Sequence, residues 1–129
     1  MKIQNAKELK SLTRRVKNEE LLLSKKDNVI PQVGMGATTG AGSDCYPHTI
    51  IEVSPMLDWI IIQADRYEPV EGFNYYSNQQ YNYFPNAKGA RTKYTLRKNG
   101  RYMQDGTPMK YDFHRVAIDF RRYYQDPSF

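Results

Sequence analysis

The feature that most constrains the fold is the dipeptide Asn99-Gly100, which favours a tight turn between two antiparallel strands. A type I′ turn needs a positive φ at both central positions, and Asn and Gly tolerate that backbone conformation best. Strand-forming residues precede the pair at 94–96 and follow it at Tyr102 and Met103. The sequence therefore predicts a β-hairpin with a type I′ turn at this point of the chain.

Alternating or continuous apolar patterns predict further strands on both sides of this hairpin. The predicted strands are 48–53, 57–65, 80–84, 91–98, 101–104 and 114–121. The stretch Trp59-Ile60-Ile61-Ile62 is apolar on both faces, which is typical of a central strand. No helical pattern separates these segments, so parallel β-α-β units are not expected. Residues 31–129 are therefore predicted to form a mainly antiparallel sheet or a small barrel.

Residues 5–24 are predicted to form an amphipathic helix, with Asn5 as the N-cap and Glu8 three residues later. Its apolar residues recur at spacings of three, four or seven and form one narrow stripe: Ala6, Leu9, Leu12, Val16 and Leu23. Two partners for the stripe stay open, the chain's own sheet or a second copy of the chain. The expected class is α+β, with a helical segment at 1–30 and a β-rich, ligand-binding core at 31–129.

Residues 31–47 contain four glycines and are predicted to form an irregular connection. The third glycine of a dinucleotide-binding pattern would fall at Thr39, and no Gly-Lys-Ser/Thr phosphate loop occurs. Two roles stay open for the part at 33–44. It is either a cradle that lets the backbone approach a phosphate or a connection that allows tight turns.

The composition indicates one domain in a reducing compartment. A chain of 129 residues can bury a core without covalent cross-links. Cys45 is the only cysteine, so no intramolecular disulfide is possible, and the sequence shows no signal peptide. No apolar run approaches the roughly 18 residues of a membrane span. We therefore expect a cytoplasmic protein that does not enter a membrane.

The formal charge of +5 is concentrated in the N-terminal segment. Residues 1–26 carry eight basic and three acidic residues, a net +5, and residues 27–129 carry eleven of each. Duplex binding usually needs a broad basic face, so this distribution weakens a nucleic-acid-binding interpretation without removing it. In that alternative, the basic helix and the cationic hairpin Lys88–Arg101 contact phosphates. The other interpretation is a solvated hairpin whose cations protect a sheet edge.

Patterns for catalysis or metal binding are weak in this sequence. His48 and His114 are the only histidines, and no second ligand pair with the spacing of a zinc site accompanies Asp44, Cys45 and His48. No nucleophile elbow occurs. We therefore expect a non-enzymatic protein without catalytic residues, metal or cofactor.

Arginines and aromatic residues at strand ends and turns indicate ligand recognition instead. A guanidinium group binds phosphate through paired hydrogen bonds and stacks on bases, and Tyr and Phe rings offer further stacking surfaces. These side chains are candidates for a site that holds a ligand of nucleotide size. The candidate residues are Arg66, Asn99, Arg121, Arg122 and the group Tyr81, Tyr83 and Phe84.

Several short fragments together resemble one family of small bacteriophage and prophage proteins. The fragments lie at 33–38, 45–53, 62–66, 81–85, 95–102 and 120–129. They are most similar to the first type of Thoeris anti-defence protein. The resemblance implies an N-terminal helix, a β-rich core and a homo-oligomer. It also implies that the chain sequesters, without cleaving, a cyclic ADP-ribose-type signal made by TIR-domain defence proteins. Some proteins of this family also hold cyclic oligonucleotides at a second site.

The resemblance assigns roles to six residues. It implies that Arg66 borders the adenine, that Asn99 contacts the ligand, and that Phe84 or Tyr83 stacks on it. One of the two residues Arg121 and Arg122 is implied to grip the phosphates. The chain departs from the family pattern at 43–45, where Ser43-Asp44-Cys45 replaces the usual Ser-Asp-Arg. The expected function is therefore nucleotide sequestration in an infected bacterial cell. The alternatives are a phage nucleic-acid-binding or protein-interaction module and a purely structural phage protein.

Overall fold

The computed structural model describes residues 5–25, 29–41, 43–108 and 116–127. It contains one α-helix, α1, at Ala6–Leu23. The strands are β1 (Gly36–Ala41), β2 (Asp44–Val53), β3 (Trp59–Ala64), β4 (Arg66–Pro69), β5 (Tyr81–Phe84), β6 (Arg91–Leu96), β7 (Tyr102–Gln104) and β8 (Val116–Ile118). Within the described residues, no helix is long and apolar enough to cross a membrane.

Six strands form one antiparallel sheet in the order β7-β6-β3-β2-β1-β8. The edge strands β7 and β8 approach each other, so the sheet curls into a nearly closed barrel. Strands β4 and β5 form a separate antiparallel hairpin. The predicted class, α+β with a β-rich core, is confirmed.

Strand β3 lies in the middle of the barrel sheet between β2 and β6, as its apolar sequence predicted. Its alternate residues Ile60 and Ile62 are fully buried and pack with Ile50 of β2 and Tyr94 of β6. The side chains between them, such as Ile61, point to the other face and are half-buried. Both edges of β3 are hydrogen-bonded, one to β2 and the other to β6, and a strand that is apolar on both faces is typical of such a central position.

Two strands were not predicted. Strand β1 lies in the glycine-rich segment, where the sequence indicated an irregular connection, and β4 lies between the predicted strands at 57–65 and 80–84. Neither segment has a strong strand pattern of its own. Strand β1 forms because β2 and β8 pair with it on both sides, and β4 forms because β5 supplies its only partner. Pairing with distant segments overrides the weak local preference of these residues.

The hairpin at Asn99-Gly100 is confirmed, but the predicted type I′ turn is wrong. Gly100 has a φ of +79°, whereas Asn99 does not adopt a positive φ. The Gly100 amide donates to the Arg97 carbonyl at 2.9 Å, and the Arg97 amide donates to the Arg101 carbonyl at 2.9 Å. This pattern is a three-residue loop with a glycine bulge, which fits the twist of a hairpin as a two-residue primed turn does.

Helix α1 begins as predicted, because the Asn5 Oδ1 atom accepts a hydrogen bond from the Glu8 amide at 2.9 Å. The helix packs against the β2–β3 loop at 54–58 mainly through polar groups. Of its apolar side chains, only Leu22 is buried in the barrel core. The chain's own sheet was one of the two partners left open for the apolar stripe. The stripe does not pack there, since Leu9, Val16 and Leu23 are exposed and the polar side of the helix faces the barrel.

The last described segment, residues 119–127, is the C-terminal tail. A strand was predicted at 114–121; residues 114 and 115, with His114, lie outside the described part, and β8 ends at Ile118. Asp119 has a φ of +78°, which turns the backbone out of the strand direction. The tail then crosses β1 and pairs with β2, where the Cys45 and Tyr124 amides donate to each other's carbonyls at 2.9 and 3.0 Å.

Candidate functional site

The hairpin β4–β5 has two chemically different faces. In its register Arg66 lies opposite Phe84, and Tyr67 lies opposite Tyr83. Because side chains alternate between the faces of a strand, Arg66 and Phe84 share one face and the two tyrosines share the other. The face with Arg66 and Phe84 is exposed to solvent, whereas the tyrosine face packs against the C-terminal tail.

Arg66 and Phe84 form an exposed cation–π pair. The guanidinium carbon of Arg66 lies 5.6 Å from the centroid of the Phe84 ring. The Phe84 side chain is 36% exposed, which is high for a phenylalanine that is held in a strand. The pair therefore presents a positive charge beside an accessible ring, the combination that stacks on a nucleobase.

Tyr83 has a different role from Phe84. Its hydroxyl oxygen accepts a hydrogen bond from the Tyr123 amide at 2.8 Å, and its ring is half-buried on the packed face. The sequence left either Phe84 or Tyr83 as the stacking residue. The structure places Phe84 on the accessible face and Tyr83 in a contact that holds the tail.

A cluster of tyrosines fixes the tail on the hairpin. The rings of Tyr67 and Tyr123 stack with centroids 3.9 Å apart and planes 17° apart. Tyr81 packs edge-on against both rings, at 5.4 and 5.0 Å. Burial is the main reason why the pKa values of Tyr81 and Tyr123 are raised, and neighbouring tyrosines raise them further. Tyr67 and Tyr123 were not among the predicted site residues, since no local pattern in the sequence indicates that they meet.

Arg121 is anchored in a buried polar network. Its Nε atom lies 3.0 Å from the Asp65 Oδ2 atom, and the Asp65 carboxylate is fully buried. Its Nη2 atom donates to the Thr49 hydroxyl at 3.1 Å and to the Gly34 carbonyl at 3.3 Å. The Thr49 hydroxyl in turn donates to Asp65 Oδ1 at 2.5 Å. Asp65 therefore compensates the charge of Arg121, which attaches the tail to β2 and β3.

The backbone of β1 leaves the space that Arg121 needs. A Cβ atom built on Gly36 would lie 2.7 Å from the Arg121 Cγ atom and 3.0 Å from the Phe120 carbonyl carbon. Real Cβ atoms do not approach other atoms this closely, so a side chain here would displace the tail. Gly36, in the segment at 33–44, thus allows β1 and the C-terminal tail to pack closely against each other.

Arg122 is the more accessible of the two neighbouring arginines. Its guanidinium carbon lies 5.0 Å from the centroid of the Tyr124 ring, and the residue is exposed. The ion pairs found among the described residues do not include it. Its charge is therefore better placed than that of Arg121 to meet an anion from solvent.

Asn99 lies at the opposite end of the barrel from Arg66. Strands β3 and β6 are antiparallel, with Arg91 opposite Gln63 near the end of β3 and Thr95 opposite Trp59 at its start. The turn at 97–101 therefore lies at the end of the barrel where β3 begins. Arg66 comes directly after the end of β3, and six residues of strand span roughly 20 Å. Within a single chain, Asn99 is therefore too far from Arg66 to contact the same ligand. Its Oδ1 atom accepts a hydrogen bond from the Arg101 amide at 3.1 Å.

The cationic hairpin Lys88–Arg101 uses part of its charge internally. Arg97 donates to the carbonyls of Thr107 and Gln104 at 2.6 and 3.1 Å, and so fixes the β6–β7 connection. The Lys93 ammonium lies 5.3 Å from the centroid of the Trp59 ring. The hairpin is adjacent to the end of α1, since the Lys25 side chain lies close to Gly100.

The described residues contain no group of three or more His, Cys, Asp or Glu side chains that could hold a metal ion. His48 is half-buried, with its Nδ1 atom 3.1 Å from the Tyr46 carbonyl oxygen. Burial lowers the pKa of His48, and the Tyr46 carbonyl and the Asp65 carboxylate oppose this effect. The imidazole is therefore mainly neutral near pH 7.

Comparisons with protein-family models, with curated proteins and with solved structures give no match. Function is therefore inferred from the arrangement of these side chains. Two features stand out: the exposed Arg66–Phe84 pair on the outer face of the β4–β5 hairpin, and the exposed Arg122 in the tail that packs on the other face of that hairpin.

Proposed function

We propose that the chain binds a cyclic ADP-ribose-type signalling nucleotide and sequesters it without cleavage. In the proposed setting, the cytoplasm of an infected bacterial cell, this binding would block TIR-based defence against phage. The observation that carries the proposal is the Arg66–Phe84 pair, in which a guanidinium group lies over a ring that solvent can reach. The short fragments that resemble Thoeris anti-defence proteins support the same conclusion.

The candidate side chains match the chemistry of such a ligand. Adenine would stack on Phe84 beside Arg66, and base–aromatic stacking contributes about 1–3 kcal/mol per base. The pyrophosphate would meet Arg122, whose charge is exposed, rather than Arg121, which is paired with Asp65. Arginine suits this role because its planar donors bind phosphate through two hydrogen bonds at once.

Sequestration acts by mass action, so the protein needs tight binding rather than a chemical step. A nanomolar dissociation constant corresponds to about −12 kcal/mol. At that affinity, protein in excess over the signal would keep the concentration of free signal low.

The proposal includes a homo-oligomer. Asn99 lies at the opposite end of β3 from Arg66, so it can contact the same ligand only if a second copy supplies it. Loss of affinity on Asn99→Ala substitution, together with a stoichiometry of one ligand per interface, would support a site that two copies share. An Asn99→Ala variant with the affinity of the parent chain would remove Asn99 from the site.

Isothermal titration calorimetry with cyclic ADP-ribose isomers, cyclic di- and trinucleotides and NAD tests the proposal. We expect saturable binding of a cyclic ADP-ribose isomer, and Phe84→Ala should weaken it by about 5- to 150-fold. The matched control is Tyr76→Ala, which removes a 79% exposed ring elsewhere on the surface and should leave affinity unchanged. Chromatography of the ligand after release from denatured protein should recover it intact. Absence of binding to every nucleotide would refute the proposal.

One observation favours the alternative function, a nucleic-acid-binding module. The basic helix and the cationic hairpin Lys88–Arg101 lie at the same end of the barrel, where Lys25 packs close to Gly100. Exposed cations recur along one side of the helix at Lys7, Lys10, Arg14 and Lys17. If this face binds a polynucleotide, affinity should fall steeply with salt, and Lys10→Ala or Lys17→Ala should each reduce the salt slope by about one. Binding of small nucleotides alone would refute this alternative.

A further inference from the structure

The outer face of the β4–β5 hairpin, which carries Arg66 and Phe84, extends beyond that pair toward the tip of the hairpin. Glu68 lies opposite Asn82, two residues further along each strand. Because side chains alternate between the faces of a strand, Glu68 and Asn82 also lie on the outer face, and both residues are exposed. Two residues of strand span roughly 7 Å. This polar pair therefore lies next to the place where a planar group would stack on Phe84.

Neither of these polar side chains is used within the chain. Among the residues that the structure describes, no hydrogen bond or ion pair engages the Glu68 carboxylate or the Asn82 amide. The guanidinium group of Arg66, two residues from Glu68 on the same face, lies over the Phe84 ring instead of pairing with that carboxylate. The carboxylate and the amide therefore remain available to a ligand that the stacking pair holds.

The outer face continues from the stacking pair in one direction only. Arg66 is the first residue of β4 and Phe84 is the last residue of β5, so the paired strands extend from them only toward Glu68 and Asn82. In a nucleotide the ribose is bonded directly to the base and lies at the rim of the base rather than over its face. A base that stacks on Phe84 can therefore place its ribose against Glu68 and Asn82.

The chemistry of the two side chains suits hydroxyl groups and not phosphate. A carboxylate only accepts hydrogen bonds and an amide both donates and accepts, whereas a phosphate is repelled by the charge of the carboxylate. Carboxylates bind ribose hydroxyls in this way in dinucleotide-binding folds. We propose that Glu68 accepts a hydrogen bond from a ribose hydroxyl of the bound nucleotide and that Asn82 bonds to a second ribose oxygen. This inference rests on the proposed function, which supplies the nucleotide that stacks on Phe84.

This contact makes Glu68 a residue that determines specificity. A nucleotide whose ribose hydroxyl carries a phosphate would bring two negative groups together at Glu68, which is unfavourable. In a polynucleotide the 3′ oxygen of each nucleotide carries a phosphate. The outer face should therefore select nucleotides with free ribose hydroxyls and reject 2′- and 3′-phosphorylated nucleotides and polynucleotides.

The sign of one substitution separates this contact from long-range electrostatics. Removing a carboxylate near an anionic ligand should strengthen binding, whereas losing a hydroxyl contact should weaken it. In titrations with cyclic ADP-ribose closed through adenine N1 or through the 2′ or 3′ oxygen, we expect Glu68→Gln to weaken binding by about 5- to 20-fold. The matched control is Glu71→Gln, the same change at an exposed carboxylate outside the two strands, which should not weaken binding. Both variants should keep the Tm of the parent chain within about 2 °C.

A series of ligand analogues identifies the hydroxyl. Analogues of the isomer that binds, in which each free ribose hydroxyl in turn is replaced by hydrogen, are titrated into the parent chain and into Glu68→Gln. For one analogue we expect the parent chain to lose about 5- to 20-fold in affinity. The same analogue should cost Glu68→Gln no more than about 2-fold, because this variant already lacks the contact. Asn82→Ala should weaken binding of the unmodified isomer by about 3- to 10-fold.

The possible results distinguish this inference from the proposed function. Saturable binding that Glu68→Gln leaves unchanged or strengthens would overturn the inference and leave the proposed function standing. A loss on Glu68→Gln that is coupled to none of the ribose hydroxyls would also overturn it, because the carboxylate would then act without touching the ribose. Absence of binding of every isomer to the parent chain would overturn both.

Discussion

Arg121 and Arg122 are adjacent in sequence, but their surroundings predict opposite effects of removal. Arg121 pairs with a carboxylate that is fully buried, whereas Arg122 lies over a ring in solvent. Substitution of Arg121 by alanine leaves Asp65 as a buried charge without its counter-ion, with the Thr49 hydroxyl as its remaining side-chain partner. We therefore expect Arg121→Ala to destabilise the fold and Arg122→Ala to leave its stability almost unchanged.

The magnitude follows from the burial of the pair. Removing one partner of a fully buried ion pair costs about 3–5 kcal/mol. The Arg121 side chain is 26% exposed, so solvent screens part of the interaction, and we expect a loss of about 2–3 kcal/mol. For a chain of this length the entropy of unfolding is about 0.27 kcal/mol per kelvin, so Tm should fall by about 7–11 °C. Arg122→Ala should cost less than about 0.5 kcal/mol, or about 2 °C.

Thermal unfolding monitored by circular dichroism measures both variants under the same conditions. A double-mutant cycle with Asp65→Asn isolates the pair, because the loss on Arg121→Ala should be much smaller when the carboxylate is already neutral. Equal Tm values for Arg121→Ala and Arg122→Ala would refute the reasoning, as would strictly additive effects of the two substitutions in the cycle. Nucleotide affinity measured on the same variants separates anchoring of the tail from contact with the ligand.

Other predictions concern backbone packing, a buried hydroxyl and pH. Gly36→Ala should destabilise by about 1–3 kcal/mol, because its Cβ would overlap the tail, whereas Gly40→Ala has its nearest contact at 3.5 Å and should cost much less in a urea titration. Tyr102→Phe should cost about 1–3 kcal/mol, because its buried hydroxyl donates to the Leu57 carbonyl at 2.6 Å; an unchanged Tm would contradict this. Burial raises the pKa of Tyr102, so the unfolded chain loses its proton first and stability should fall as pH rises above about 10. Burial lowers the pKa of His48, so stability should also fall as pH drops below about 6.5, and His48→Gln should remove that part of the acid dependence.

Local patterns predicted the elements whose signals are strong within a few residues. Asn5 caps α1 as expected, the hairpin forms at Asn99-Gly100, and the apolar stretch around Ile60 and Ile62 is central. Strand β1 shows the limit of this approach, since its small residues form a strand only because two distant segments pair with them. The alternation of side chains also implied that Tyr83 and Phe84 face opposite ways, but only the position of Tyr123 shows which face is covered.

The sequence predicted which residue types form the candidate site, but it did not predict where they lie or which of them lie together. The sequence indicated arginines and aromatic rings at strand ends, and the structure gathers Arg66 and Phe84 on one exposed face. It separates Asn99 from them by the length of β3, because the order of strands in the sheet decides which turns lie at the same end. The buried network of Asp65 had no signal in the sequence, since its members are distant along the chain.

What the sequence determined by itself is the class of the fold, because helix caps, turn residues and apolar periodicity act over a few neighbouring positions. The tertiary structure alone decided how the helix is oriented and which arginine is anchored. The apolar stripe of α1 faces solvent because polar side chains hold the helix to the loop at 54–58. Arg121 is anchored because the tail passes over the buried Asp65, whereas Arg122, one residue later, points to the other side of the extended backbone.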